Sequence, residues 1–78
     1  MWTEKDGQLV GTFEFDDFNS AFGFMTRVAL VAEQRNHHPD WTNCYNRVVI
    51  RLYTHDAGNV ITNRDREMAS IIESIFHR

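Results

Sequence analysis

Three histidines stand where helices or strands are expected to end, and they are the residues of this sequence best suited to chemistry. His37 and His38 are adjacent in the segment NHHPDWTN, residues 36–43, and His55 follows a β-like segment. Histidine titrates near neutrality, so it can donate or accept a proton at working pH. Pro39 biases His38 toward an extended backbone, which aims the two neighbouring imidazoles in different directions. The pair therefore suits two contacts on one small ligand better than a shared metal ion.

Other kinds of site find less support in the sequence. Cys44 is the only cysteine, which excludes an intrachain disulfide and a thiolate metal cluster within one chain. No H-x-x-x-H spacing is present, so a zinc site would need His55 brought across to the other histidines. A Ser/His/Asp triad lacks a nucleophile elbow, and there is no glycine-rich phosphate loop. A histidine in a loop is often only a polar residue, which is our interpretation of His77.

Length and composition predict a single small domain covering residues 1–78. A hydrophobic content of 42% argues against disorder, but a core of this size is marginal, so oligomers are expected. The net charge is −3 and the Lys and Arg residues are scattered, which weighs against direct binding of nucleic acid. The sequence has no segment of transmembrane length and no signal-peptide pattern at its start. We therefore expect a cytoplasmic protein with no membrane partner.

Alternation of apolar and polar residues predicts three strands. The first two, Trp2–Lys5 and residues 8–15, flank a turn at KDG. Gly11 lies on the apolar side of the second strand, where it marks a bulge or a close approach to the backbone. The third strand lies within CYNRVVIRLYT, residues 44–54, and its core face comprises Val48, Ile50 and Leu52.

A long helix is predicted between the second and third strands. Asp16 or Asp17 caps its start, and it runs to about Arg35. One apolar stripe contains Phe18, Phe22, Met25, Ala29 and Ala32, and a second contains Phe24, Val28 and Val31. If these are not one broad stripe, one of them packs on the sheet and the other has only another subunit to cover it. Replacing Phe24 or Val28 with Asp is then expected to shift the oligomer toward smaller species.

The last predicted element is a helix that ends near His77. Thr62 and Asp65 resemble a capping box at its start. The expected fold is therefore α+β, a small antiparallel sheet with helices on one face in the order ββαβα.

Four motifs together resemble one known family. They are F-x-F-x-D-F before the long helix, AFGFM with VAL-x-AE within it, H-H-P-x-W-x-N-x-Y-N, and T-H-[DE] after the third strand. Between residues 13 and 58 the chain resembles the pterin-4a-carbinolamine dehydratases. The same family is known as dimerisation cofactors of a homeodomain transcription factor.

The resemblance implies dehydration of 4a-hydroxytetrahydropterin to the quinonoid dihydropterin, a step in recycling tetrahydrobiopterin. One group must protonate the leaving hydroxyl and another must take a proton from the ring nitrogen, so neither metal nor organic cofactor is expected. The catalytic residues it implies are His37, His38 and His55, with His38 expected to be the most damaging single loss. The substrate-binding residues it implies are Glu33, His37, His38, Pro39, Thr54, His55, Asp56, Ala57 and Asp65.

The chain departs from the family pattern in places. Asn36 stands where an acid often precedes the histidine pair. Many members have a helix before the first strand, and since this sequence starts at Met1 and Trp2 we expect that helix to be absent. Glu33 either orients an imidazole or binds the pterin edge, or it is only a solvated helix residue. Asp65 likewise either belongs to the site or is only an N-terminal helix residue.

Two classes of function remain open at this point. The resemblance implies homodimers formed through a sheet edge and homotetramers formed through the long helix, residues 18–35. An alternative is a protein-binding module that acts as a transcriptional coactivator, with a transcription-factor partner and a nuclear location. A third is a pterin-binding protein tuned for another pterin.

Overall fold

The computed structural model describes residues 2–77, which form a four-stranded antiparallel sheet with two helices on one face. The elements are β1 (Trp2–Lys5), β2 (Gln8–Glu14), α1 (Phe18–Gln34), β3 (Asp40–Cys44), β4 (Arg47–Leu52) and α2 (Asn63–Phe76), with a short 3₁₀ turn (His55–Ala57) between β4 and α2. The strand order is β1-β2-β4-β3. The predicted α+β class is confirmed. Neither helix has the length and apolar character that a membrane crossing requires.

The order of elements is ββαββα rather than the expected ββαβα, because β3 is a fourth strand that was not predicted. β3 pairs with β4 through a two-residue turn at Tyr45 and Asn46, and Trp41 lies opposite Ile50. Tyr45 has a φ of 51°, a left-handed conformation that Gly or Asn usually supplies. The turn therefore carries no typical sequence signal, and the mostly polar DWTNC strand has no strong apolar alternation.

The core lies between the sheet and the two helices. Alternate residues of β4 face it, and Val48, Ile50 and Leu52 are buried as predicted. Phe13 of β2 contacts aromatic rings from both helices, with ring centroids 5.1 Å from Phe24 and 5.1 Å from Phe76. These contacts hold the helices against the sheet and so fix the helix ends that carry the site.

Gly11 marks a close approach rather than a bulge. The pairing of β2 with its two neighbours continues without interruption through this residue. A Cβ built on Gly11 would lie 2.8 Å from two ring carbons of Trp2 and 3.1 Å from Phe13. The missing side chain therefore leaves room for the Trp2 ring on the core face of the sheet.

The two apolar stripes of α1 differ in burial. Phe24 and Val28 are buried in the core, so their predicted placement at a subunit interface is wrong. Phe18 and Phe22 are instead 48% and 53% exposed. Helical periodicity identifies apolar faces, but it does not say which face meets the sheet.

Side-chain caps define where both helices begin. Asp17 is the N-cap of α1 and accepts a hydrogen bond from the backbone N–H of Ser20 at 2.7 Å. Thr62 is the N-cap of α2, and the predicted capping box with Asp65 is confirmed. The caps satisfy backbone N–H groups that have no partner inside the helix.

Candidate active site

The three histidines meet at one pocket, where the end of α1, the end of β4 and the start of α2 come together. The pocket has a volume of about 470 Å³. Its lining residues are Asn36, His37, His38, Pro39, Asp40, Tyr53, His55, Asp56 and Arg64. The chain therefore gathers histidines from two separate loops beside one cavity.

The end of α1 fixes the backbone of the histidine pair. Asn36 takes a left-handed conformation with φ of 51°, its N–H donates to the Glu33 carbonyl, and the N–H of His37 donates to the Ala32 carbonyl. This pair of bonds is a Schellman motif, for which Asn is the usual substitute when Gly is absent. Arg64 from α2 donates to the Asn36 carbonyl at 2.9 Å. The departure at Asn36 thus has a local reason, because the position ends a helix.

The imidazoles of His37 and His38 lie in different surroundings, as expected from the extended backbone that Pro39 favours at His38. His37 is only 8% exposed, and its Nε2 lies 2.5 Å from Oδ1 of Asp65. His38 is exposed, and its Nε2 lies 2.8 Å from Oε1 of Glu33. One imidazole is therefore held inside the protein and the other at its surface.

Asp65 is fully buried and accepts hydrogen bonds from three parts of the chain. Its donors are the Thr54 hydroxyl at 2.7 Å, the Thr62 backbone N–H at 2.8 Å and His37. Burial by itself raises the pKa of Asp65, but the hydrogen bonds from Thr54, Thr62 and His37 outweigh it and hold the pKa below the ordinary value. The carboxylate is then ionised at neutral pH and only accepts hydrogen bonds.

The state of Asp65 decides the tautomer of His37. Because the carboxylate cannot donate, Nε2 of His37 must carry the hydrogen, and Nδ1 of the neutral ring is left to accept a proton. The same reasoning applies to His38. The Glu33 carboxylate accepts the hydrogen of Nε2, which leaves Nδ1 of the neutral ring free. Two carboxylates thus direct the two adjacent imidazoles.

His55 is held by a tightly closed loop after β4. Its Nδ1 lies 3.0 Å from Oδ1 of Asn59, an oxygen that accepts, so Nε2 is the free nitrogen of the neutral ring. The Thr54 backbone N–H donates to the Val60 carbonyl, and Gly58 in the left-handed region lets the chain turn back. These contacts set the direction in which His55 leaves the sheet.

Of the other residues expected in the site, two line the pocket and two do not. Pro39 and Asp56 line the pocket with the histidines. Thr54 is buried and donates to Asp65, so its side chain supports the site from behind rather than facing the pocket. Ala57 does not line the pocket, because the 3₁₀ turn carries it past the cavity.

Four pocket residues were not predicted as site residues from the sequence: Asn36, Asp40, Tyr53 and Arg64. Asp40 is the first residue of β3, the strand that was not predicted, and it lies opposite Arg51 in the register of β4. Arg64 is the second residue of α2 and reaches the end of α1, a contact that only the packing of the two helices creates. Within residues 2–77 no group of three or more His, Cys, Asp or Glu side chains is arranged to hold a metal ion.

The sequence matches one family along most of its length. A family model described as "Pterin 4 alpha carbinolamine dehydratase" matches residues 1–75. The chain is 50% identical over 74 residues to a protein of Prochlorococcus marinus, covering 95% of this chain and 76% of that protein. It is 55% identical over 76 residues to a protein of a Bradyrhizobium species, covering 95% and 75%. Both relatives carry the name pterin-4-alpha-carbinolamine dehydratase as a provisional assignment.

Solved structures agree with this match. A crystal structure from Brucella melitensis, described as a transcriptional coactivator/pterin dehydratase, superposes with a TM-score of 0.91 at 43% identity, covering 96% of this chain and 81% of that one. A pterin dehydratase-like protein described as a RuBisCO assembly factor in the alpha-carboxysome shares the fold, with a TM-score of 0.77 at 20% identity over 96% and 86% of the two chains. The chain belongs to the pterin-4a-carbinolamine dehydratase family, which confirms the resemblance found in its motifs.

Proposed function

We propose that this protein catalyses the dehydration of a 4a-hydroxytetrahydropterin to the quinonoid dihydropterin and water. The C4a–O bond breaks as the hydroxyl takes up a proton and leaves as water, and the neighbouring ring nitrogen loses its own proton. The acid and the base each need a group that exchanges a proton near neutral pH. The catalytic residues of the proposal are His37, His38 and His55.

The observation that carries the proposal is the shared arrangement of the three rings. Each lines the same pocket, and each has one nitrogen engaged by a neighbouring oxygen. The second nitrogen of each ring is left for a reacting proton. A pocket of about 470 Å³ falls in the range of small-molecule sites.

Proton acceptance from the ring nitrogen is assigned to His37. The ionised Asp65 next to Nε2 stabilises the imidazolium that forms when Nδ1 takes a proton, as the carboxylate does in a Ser-His-Asp triad. His38 and His55 are then the candidates for the acid, and either ring donates to the leaving hydroxyl from its free nitrogen only in the imidazolium form. Asp65 and Glu33 act through the histidines as positioning residues in this proposal, in place of the substrate contacts expected from the sequence.

Stopped-flow decay of chemically generated 4a-hydroxytetrahydropterin at neutral pH tests the activity. The expected result is faster decay with the protein than without it, and loss of the acceleration in His38→Ala. Decay at the uncatalysed rate in the presence of folded protein would overturn the enzyme assignment.

A second function, assembly with other protein chains, is favoured by the surface of α1. Phe18 and Phe22 are largely exposed with ring centroids 5.6 Å apart, and Leu30 is exposed further along the same helix. Such apolar side chains on one helix are typical of a surface that meets another protein. We propose that helix 18–35 and a sheet edge form homodimers or homotetramers, with a transcription-factor partner as the alternative occupant of the helix.

A further inference from the structure

A second cavity adjoins the candidate active site on the far side of His37. It has a volume of about 260 Å³, and the residues that line it are Arg35, His37 and Arg64. His37 and Arg64 also line the larger pocket, so the two cavities share a wall. A ligand in the larger pocket could therefore extend past His37 between two guanidinium groups.

The charges around this cavity favour an anion although the chain as a whole carries −3. Arg64 donates to the Asn36 carbonyl, which holds its guanidinium in place without neutralising it. Arg35 is paired with Glu67 at 2.8 Å, and both side chains are substantially exposed. An arginine has five N–H donors, and the structure records one hydrogen bond from each of these two.

The negative charges of Asp65 and Glu67 repel an anion in this cavity only weakly. Asp65 is buried behind His37, where three donors already surround its oxygens. Glu67 competes directly, because it occupies Arg35 itself, but it does so at an exposed position. Two guanidinium forks around a small cavity are the usual recognition element for a phosphate or carboxylate.

We propose that the cavity between Arg35 and Arg64 binds an anionic group, a phosphate or carboxylate, carried on the substituent of the pterin. The assignment of the ring rests on the proposed function, whereas the assignment of the anion rests on the two arginines. The preferred substrate is then a pterin with a charged side chain rather than a neutral one.

Calorimetric titration with three probes tests this: 6-hydroxymethylpterin, its phosphate ester, and inorganic phosphate. The ester is expected to bind about tenfold or more tightly than the alcohol, in keeping with charge-assisted hydrogen bonds. Arg35→Gln is expected to remove most of this preference. Glu67→Gln should act in the opposite direction and strengthen binding of the ester, because it frees Arg35. Arg66→Gln, which loses an ion pair to Glu4 of β1, is the matched control and should leave the preference intact.

The probes separate the two assignments. Equal binding of ester and alcohol, together with phosphate binding that Arg35→Gln abolishes, supports an anion site filled by a free ion and overturns the pterin substituent as its source. No preference for the ester and no phosphate binding overturns the anion site. If neither pterin binds and the stopped-flow decay of 4a-hydroxytetrahydropterin is also uncatalysed, the proposed function fails, and the phosphate titration still decides whether the cavity takes an anion.

Discussion

Asp65 has two roles, because it caps the start of α2 and also orients the imidazole of His37. The same carboxylate caps the Thr62 N–H and receives the hydrogen of His37 Nε2. A buried carboxylate is costly unless its oxygens are paired, and here the partners come from the segments that follow β4 and α1 and from the start of α2. The orientation of His37 therefore depends on contacts that also define where α2 begins.

Replacing His38 with Ala is expected to lower kcat by about 10²–10⁴-fold, the contribution of a positioned acid–base group. His77→Ala is the matched control, since His77 is an exposed histidine paired with Glu73 at the other end of α2. Stopped-flow turnover of both variants gives the comparison. Near-normal kcat in a folded His38→Ala protein would contradict the role.

Asp65→Asn is expected to lower kcat by up to about 10⁴-fold, the effect of the same change in a Ser-His-Asp triad, where the imidazole takes the wrong tautomer. The amide can donate as well as accept, so Nε2 of His37 no longer has to carry the hydrogen. Nitrogen NMR of the imidazole should report the protonated nitrogen moving from Nε2 toward Nδ1. A fall in activity with an unchanged tautomer would mean that Asp65 supports the fold alone.

Stability in acid should also depend on Asp65. Its pKa is lower in the folded protein than in the unfolded chain, so its stabilisation is complete above the ordinary carboxyl pKa of about 4. That stabilisation is lost as the pH falls from there through the lowered folded value. Urea denaturation between pH 6 and 2 should show a steeper loss of unfolding free energy in the wild type than in Asp65→Asn. Parallel curves for the two proteins would contradict the lowered pKa.

At the scale of elements, two glycines provide a matched pair of substitutions. Gly11→Ala should destabilise by about 1–3 kcal/mol, because its Cβ would press on the Trp2 ring. Gly23→Ala in α1 should stabilise by about 0.5–1 kcal/mol, since a Cβ there meets nothing within 4 Å and Ala favours the helix. Thermal and denaturant unfolding measure both. Equal effects would mean that the contact with Trp2 does not limit the sheet.

The sequence predicts the elements whose signals are local and fails where packing decides. The capping box of Thr62 and the core face of β4 follow from residue type and spacing, and both are confirmed. β3 was missed because its turn uses Tyr45 in a left-handed conformation and its strand is mostly polar. Phe24 and Val28 of α1 were placed at a subunit interface by mistake, because periodicity does not say which face of a helix meets the sheet.

The candidate site shows the same division. The histidines can be picked out from residue type and from family motifs, and the structure gathers them at one pocket. The contact of Asp65 with His37 and that of Arg64 with the Asn36 carbonyl depend on how α1 and α2 pack. The spacing of these residues along the chain therefore does not predict either contact. Long-range polar contacts of this kind are the part of the site that the sequence leaves undetermined.

At the scale of the whole molecule, the exposed stripe of α1 should control assembly. Phe22→Asp is expected to reduce the mass of the particle measured by light scattering, because it places a charge on the exposed aromatic pair. Val60→Asp is the control, since Val60 is similarly exposed but lies in the loop before α2. An unchanged mass in Phe22→Asp would contradict assembly through this face.

The hydrogen-bonded group formed by His37, Thr54, Thr62 and Asp65, of which all but Thr62 are buried, also bears on how this protein would change under artificial selection. Apolar side chains of similar volume often stabilise a core more than buried polar ones do. A library screened only for heat resistance should therefore replace His37, Thr54 and Asp65 with apolar residues together, because removing one alone leaves buried partners unpaired. Such variants should lose turnover as they gain melting temperature. Selecting for turnover and heat resistance together should leave these positions unchanged. The stabilising substitutions should then appear at other positions, with Gly23→Ala among the first.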